Sequence, residues 1–349
     1  MVNEGKGSAL IWMMAAGVTL AVVYHLMNKE ELQEPPVTTV PREEKAMIPE
    51  EGGATVALEP SSPPKRVPLE VPVAGIEKPV IPPVVEKLAT IGKATPPDGY
   101  RKSWSVEGSW TELLWVAPGK FTMGSPKGEQ NRRKWEGLHE VTVTEGFWLG
   151  KYEVTQRAWV SMGMENISYF NGPLNPAGRI SWNDAVEFCK RLDSFARGKS
   201  ELPEGYAFRL PTEAEWEYAC RAGTTSASYF GDSMDSSQAN FDGRFPLGTG
   251  KKGINRKRPM PVGYYRANPW GFHDMHGNLA EWCQDSWRDL PGKGEVNPLA
   301  KGGQYKVAKG GSWYVHGWEC RSTSRCALRP DIQYRTGIGM RVCLGRVLE

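Results

Sequence analysis

Within Arg209-Leu210-Pro211-Thr212-Glu213-Ala214-Glu215-Trp216-Glu217-Tyr218, the residues from Pro211 onward read as a helix that starts at Pro211 or Thr212. Proline suits a first helical turn, whose N–H groups have no intrahelical partner. The acidic residues that follow face the positive end of the helix dipole. Upstream, Ser181 begins another helix, with Asp184 three residues on as an acidic form of the capping box. Ala185, Phe188, Cys189 and Leu192 then fall on one helical face. Val141-Thr142-Val143-Thr144 alternates as a strand does. Beyond Phe230 the signals are mostly those of loops, and no internal repeat is evident. The 349 residues include 14 tryptophans and 39 glycines. That combination predicts a loop-rich domain, because indoles fill irregular space and glycine permits tight turns.

Outward from this core the composition changes twice. Residues 9–27, ALIWMMAAGVTLAVVYHLM, contain no Asp, Glu, Lys or Arg. At about 1.5 Å per residue such a helix just crosses a hydrocarbon core of roughly 30 Å. It is expected to be an uncleaved transmembrane anchor behind a short tail, residues 1–8. The rival is a cleaved signal peptide, but bulky Tyr24, His25, Leu26 and Met27 stand where small residues would mark the cut. Lys6 before the span, and Glu30, Glu31 and Glu34 after it, weakly favour a cytoplasmic N-terminus. The domain at residues 103–349 is then expected on the extracytoplasmic side, periplasmic or cell-surface. Residues 28–102 form the linker between them. Fourteen of the 27 prolines lie between residues 28 and 100, and the segment has no apolar period, so an extended, disordered stalk is expected. The net charge of +3 is near balance and implies no nucleic-acid partner. No Walker loop, Gly-x-Ser-x-Gly elbow or H-E-x-x-H pair is present.

A series of blocks resembles the formylglycine-generating enzymes, or sulfatase-modifying factors. In chain order they are Phe121–Ser125, Phe147–Thr155, Ser181–Ala185, Arg209–Tyr218, Asn268–Asn278 with Glu281-Trp282, Gly310–Trp313, and Ile338–Val342. The resemblance covers about residues 105–346. It implies an α+β fold related to C-type lectins, with little regular secondary structure. It also implies an activity, the oxidation of a sulfatase cysteine by oxygen and a copper(I) ion held by two thiolates. Soft Cu(I) prefers sulfur ligands.

The residues depart from that pattern at the copper site. Cys326-Ala327-Leu328-Arg329 matches the family's structural cysteine and the stretch after it. Five residues before Cys326 stands Arg321, and further back His316 or Val315, where the two thiolates are expected. Copper is therefore not expected. Cys320 and Cys326 are the remaining catalytic candidates, in the rival reading of a redox pair. The resemblance pairs Cys189 with Cys343 and Cys220 with Cys326, which leaves Cys283 and Cys320 for a third bridge. Spacing alone leaves 15 connectivities open for six cysteines. The even count suits an oxidising compartment. The resemblance also implies a calcium site at Asp274, Gly277, Leu279 and Glu281, since carboxylates with backbone carbonyls suit a hard cation. A second family calcium site, matching Asn240 and Phe241, has Lys252 in place of its later Asp. A groove for a protein or glycan ligand is expected along Trp313, Tyr314, His316 and Arg321. Two functions follow as expectations. One is a tethered recognition or scaffolding domain. The other is an oxygen-dependent oxidase that activates sulfatases at Cys-x-Pro-x-Arg.

Overall fold

The computed structural model describes residues 95–199, 202–291, 293–331, 333 and 337–348. The expected tail, anchor and all but the last residues of the linker lie outside the described residues. Among the described residues no helix is long and apolar enough to cross a membrane.

The first strands are β1 (Ser103–Val106), β2 (Thr111–Val116), β3 (Gly119–Met123), β4 (His139–Val143) and β5 (Phe147–Gly150). Three helices follow: α1 (Gln156–Ser161), α2 (Trp182–Gly198) and, after β6 (Tyr206–Arg209), α3 (Glu213–Arg221). The remaining strands are β7 (Ala280–Ser286), β8 (Glu295–Val296), β9 (Lys306–Lys309), β10 (Arg325–Leu328), β11 (Ile338–Gly339) and β12 (Cys343–Arg346). A 3₁₀ turn, Gly317–Cys320, lies between β9 and β10.

The strands form three sheets, ordered β1-β2-β5-β12-β6, β10-β9-β7-β11 and β3-β4-β8. The first is antiparallel at every pairing. In the others, β11 joins β7 and β8 joins β4 in parallel. This is the α+β, low-regularity fold that the resemblance implies. The expected strand at Val141–Thr144 is β4, and packing of the domain reaches back to Tyr100, whose ring lies edge-on to Trp104 and Trp148.

Both expected helices begin where their caps place them. The Ser181 hydroxyl accepts from Asp184 N, while Asp184 accepts from Ser181 N at 2.9 Å. Thr212, not Pro211, caps α3, and Glu215 completes the reciprocal pair. Each cap is worth about 1 kcal/mol, because it satisfies donors that helix geometry leaves open. Ala185, Phe188, Cys189 and Leu192 face the main apolar core, with Trp148, Trp159 and Trp282. A second core gathers around Trp216, Phe147 and Phe272. α3 is buried along its whole length, so its glutamates need partners inside the protein.

Between α3 and β7 the described residues hold no helix or strand, as the loop signals predict. Side chains there replace the ladder. Asn268 donates to the carbonyls of Ala219 and Cys220, and its Oδ1 accepts from Trp270 N and Phe272 N. Gly277 sits at φ 79, and a Cβ there would lie 2.2 Å from the Asn240 carbonyl oxygen. Only glycine allows these two loop strands to meet.

Candidate functional site

The segment that leaves β9 carries most of the expected site residues. Lys309 ends that strand fully buried, with its ammonium 2.9 Å from Glu217 Oε2. Gly311 then turns at φ 69, where a Cβ would meet Cys320 Sγ at 2.6 Å. The turn sends Trp313 and Tyr314 outward. Trp313 N donates to Asn278 O, and its ring meets Phe170 edge-on at 5.8 Å. His316 precedes the 3₁₀ turn, its N–H bonded to Glu319 Oε2. The imidazole packs 4.4 Å from Phe245 and 4.3 Å from Trp318, centroid to centroid. Trp313 and Tyr314 thus form one partly exposed aromatic group, with Phe170, and His316 belongs to another, with Phe245 and Trp318.

Arg321 joins neither group. Its guanidinium is buried and donates from Nη2 to Glu136 Oε1 at 2.9 Å, and from Nη1 to Glu136 Oε2 at 3.0 Å. Nη1 also bonds Glu129 Oε1, and Nε donates to Trp318 O at 2.9 Å. Burial pulls the Arg321 pKa down, and the bonds to Glu136 and Glu129 more than reverse this, so it stays charged. The groove assignment of Arg321 is thus corrected: it is an internal clamp on the loop after β3. Sequence reasoning missed Glu129 and Glu136, because they lie in an aperiodic loop with no motif to mark them.

The six cysteines stand as thiols in this structure. Cys326 lies opposite Ala308, which lies opposite Trp282, and all three pack toward the main core. Its neighbour Arg325 points the other way, to Glu213 on α3. Adjacent strand residues face opposite sides. Cys220, on α3, sits in the second core with Cys283. Cys220 and Cys326 are therefore separated by the sheet. Cys320 lies in a third cluster, with Phe241 and Leu247, away from Cys283. Cys189 and Cys343 both flank Arg209, whose charge each thiol feels.

No pair of these sulfurs makes the family's copper site. Burial pushes the Cys320 thiol well above its ordinary value, and the Cys326 and Cys220 thiols up to about 12. Copper(I) needs thiolates, and the position five before Cys326 is filled by the Arg321 ion pairs. The residues present do not fit the metal. His276 adds no ligand. Its Nδ1 lies 2.6 Å from the Cys320 carbonyl and must carry the proton, and Nε2 accepts from Tyr229 N at 3.2 Å. Burial lowers its pKa to about 4, so the ring stays neutral and structural.

The expected calcium ligands surround a different cation. Glu281 accepts from Arg341 Nε at 2.5 Å and Nη2 at 2.7 Å, and from Trp216 Nε1 at 2.6 Å. Both its oxygens are taken. Arg341 also donates to the carbonyls of Gly150 and His273. Asp274 Oδ2 accepts from Gly263 N. Burial pushes the Asp274 carboxyl up to about 6, against the bond from Gly263 and the charge of Arg341. Glu153, which the sequence did not single out, accepts from Leu279 N and Asn278 Nδ2. Burial, then the charges of Asp274 and Glu281, push its carboxyl well up. The set does not fit calcium as expected, because a guanidinium already supplies the positive charge. Among the described residues no group of three or more His, Cys, Asp or Glu could hold a metal ion. The residue that organises this centre is Arg341, which sits in a recognised block without a role assigned to it.

Two hollows flank these elements. One, of about 500 Å³, runs past Phe147, Arg209, Glu215, Lys301 and Arg346. Its Arg209 is paired with Glu215 and its Arg346 with Glu145. The other, of about 20 Å³, lies under Trp313 and is lined by Tyr169, Phe170, Arg179, Pro259 and Gly337.

The pattern of a sulfatase-modifying factor enzyme 1-like domain matches residues 102–345. Chaperone protein LppX of Paenibacillus barcinonensis is 30% identical over 210 residues, 50% of this chain and 71% of the chaperone. Serine/threonine-protein kinase pkn1 of Chlamydia caviae is 30% identical over 63% of this chain and 35% of the kinase. Formylglycine-generating enzyme of Mus musculus is 31% identical over 55% of this chain and 48% of the enzyme. The chain thus spans about half or less of the kinase and the enzyme. Among solved structures, PvdO from Pseudomonas aeruginosa superposes at a TM-score of 0.57 with 26% identity, over 70% of this chain and 100% of PvdO. Treponema denticola variable protein 1 shares the fold at a TM-score of 0.57 and 22% identity, over 70% of this chain and 98% of its own.

Proposed function

The chain belongs to the family of the sulfatase-modifying factor enzyme 1-like domain, and from that premise we propose that it is a recognition or scaffolding member rather than a copper-thiolate oxidase. The observation that carries this reading is Arg321. It stands five residues before Cys326, where the resemblance places a copper thiolate, and its charge is committed to Glu129 and Glu136. Fold alone does not fix chemistry. The relatives include a chaperone, kinases and formylglycine-generating enzymes, so the shared domain is compatible with binding as well as oxidation. Two partly exposed aromatic groups, Trp313 with Tyr314 and Phe245 with His316 and Trp318, supply the binding surface. Aromatic side chains of this kind bury large area at low entropic cost.

The domain acts at a membrane surface in this proposal, held by residues 9–27 and spaced from it by the proline-rich segment. The support is the uncharged apolar run and the linker composition. The test is a copper(I) titration of the full chain against a competing chelator. The reading expects the chelator to retain the metal. A tight site that survives competition and is lost in Cys320→Ser or Cys326→Ser would overturn it.

A further inference from the structure

The small cavity under Trp313 combines features that no other part of the described domain shows together. Arg179 and Trp313 both line it, and the Arg179 Nε and Trp313 Nε1 are buried with no hydrogen-bond partner among the described residues. A buried donor left unsatisfied costs about 1–3 kcal/mol. Among the described residues no Asp or Glu lines the cavity to answer them. Arg179 is also held in the left-handed region, at φ 64. That conformation costs a non-glycine residue roughly 1–2 kcal/mol and persists only where its surroundings enforce it. Here they do. Gly178 N bonds Ser168 Oγ on one side, and fully buried Ile180 receives Trp282 Nε1 on the other.

The surroundings favour an anion. Pro259, in the wall, ends a loop whose exposed Lys251, Lys252, Lys257 and Arg258 carry only positive charge. A loop of one sign leading into the wall raises the local concentration of anionic ligands. The walls themselves are apolar, with Tyr169 largely exposed at the rim and Phe170 set edge-on against Trp313.

We propose that this cavity is a carboxylate subsite of the recognition face, in which Arg179 and the Trp313 indole N–H receive an acidic side chain of a peptide partner. A volume of about 20 Å³ holds little more than one or two oxygen-sized groups. A single carboxylate fits that space and the two donors better than the three free oxygens of a phosphate. The aromatic and proline walls suit the aliphatic stem of glutamate. The inference rests on the recognition reading and gives it a ligand class.

The experiment uses the full chain in detergent, with ¹⁵N-labelled tryptophan, and follows the indole N–H signals by NMR. The probe is the blocked peptide acetyl-Gly-Glu-Gly-amide, with acetyl-Gly-Gln-Gly-amide, glucuronate and inorganic phosphate as separate arms. The glutamate peptide should shift one indole signal saturably, and that signal should be absent in Trp313→Phe. In Arg179→Gln the titration should weaken about tenfold, the scale of one lost charge-assisted bond. An equal shift with the glutamine peptide, or an unchanged titration in Arg179→Gln, would overturn the subsite. Tighter binding of glucuronate or phosphate would overturn its assignment to a peptide. If Arg179→Gln does not fold, the glutamate-over-glutamine preference of the parent chain decides. Failure here with no copper uptake retires the subsite and leaves the recognition reading standing, whereas copper uptake retires both.

Discussion

Arg321 and Arg179 lie on opposite terms with their surroundings. Arg321 is buried with six described hydrogen bonds, to Glu129, Glu136, Thr323, Trp318 and Asn131. Arg179 is half-buried beside a cavity with its Nε unanswered. The first cation is closed off and structural. The second holds interaction capacity that the described fold does not use. The difference locates function: in a domain of this kind the chemistry available to a partner lies where polar groups remain open. Arg341 belongs with Arg321, closing an acidic centre of Glu153, Asp274 and Glu281.

The largest effect should come from breaking the closed class. Arg341→Met leaves Glu281 buried without its cation, and removing one partner of such a pair costs about 3–5 kcal/mol. For a domain of this size that is a fall in melting temperature on the order of 10 °C. Scanning calorimetry reads it, and a change of only a few degrees would move Arg341 into the open class. Arg321→Cys should cost about 3 kcal/mol for the same reason. It should also create no copper-dependent oxidation of a Cys-x-Pro-x-Arg peptide, because one restored sulfur lacks a second. Activity in that variant would show that the site needs a single thiolate.

A third prediction concerns pH. Burial, then the neighbouring Glu213, push the Asp285 carboxyl from its ordinary 3.8 up to about 7. The folded state therefore holds this proton more tightly than the unfolded chain. Its contribution to stability is fully present below about 3.8 and declines as pH rises through about 7. Asp285 accepts from Glu213 N and Ala300 N, one of which asparagine can still satisfy. The stability of the parent chain relative to Asp285→Asn should fall between pH 4 and 8, measured by urea unfolding. Parallel pH curves would contradict the assignment.

Much of the fold was legible because it is written in local patterns. The caps at Ser181 and Thr212, the apolar face of α2 and the loop-rich stretch after Phe230 all stand where the sequence places them. The site was legible only in part. Trp313, Tyr314 and His316 are at least partly exposed, but Arg321 turns inward. Its partners, Glu129 and Glu136, are nearly 200 residues distant in the chain, and no spacing rule joins them. The surroundings of the expected calcium ligands were hidden for a similar reason. Carboxylates at the right spacing say nothing of a guanidinium arriving from Arg341, 60 residues on. Whether Cys220 can face Cys326 turns on which side of β10 each residue takes, and one residue's shift reverses that.

The smallest effect belongs to the open class. Trp318→Ala, in the aromatic group with Phe245 and His316, should change stability by no more than about 1 kcal/mol, since the ring is partly exposed. It should nevertheless weaken any ligand of that group more than Arg341→Met does per degree of melting temperature lost. Equal losses would erase the distinction between the two regions.

The most direct measurement is turnover of a Cys-x-Pro-x-Arg peptide by the full chain with copper(I) and oxygen supplied, followed by mass spectrometry and an aldehyde probe. The account predicts that the cysteine is recovered unchanged. Copper-dependent conversion to formylglycine would contradict it.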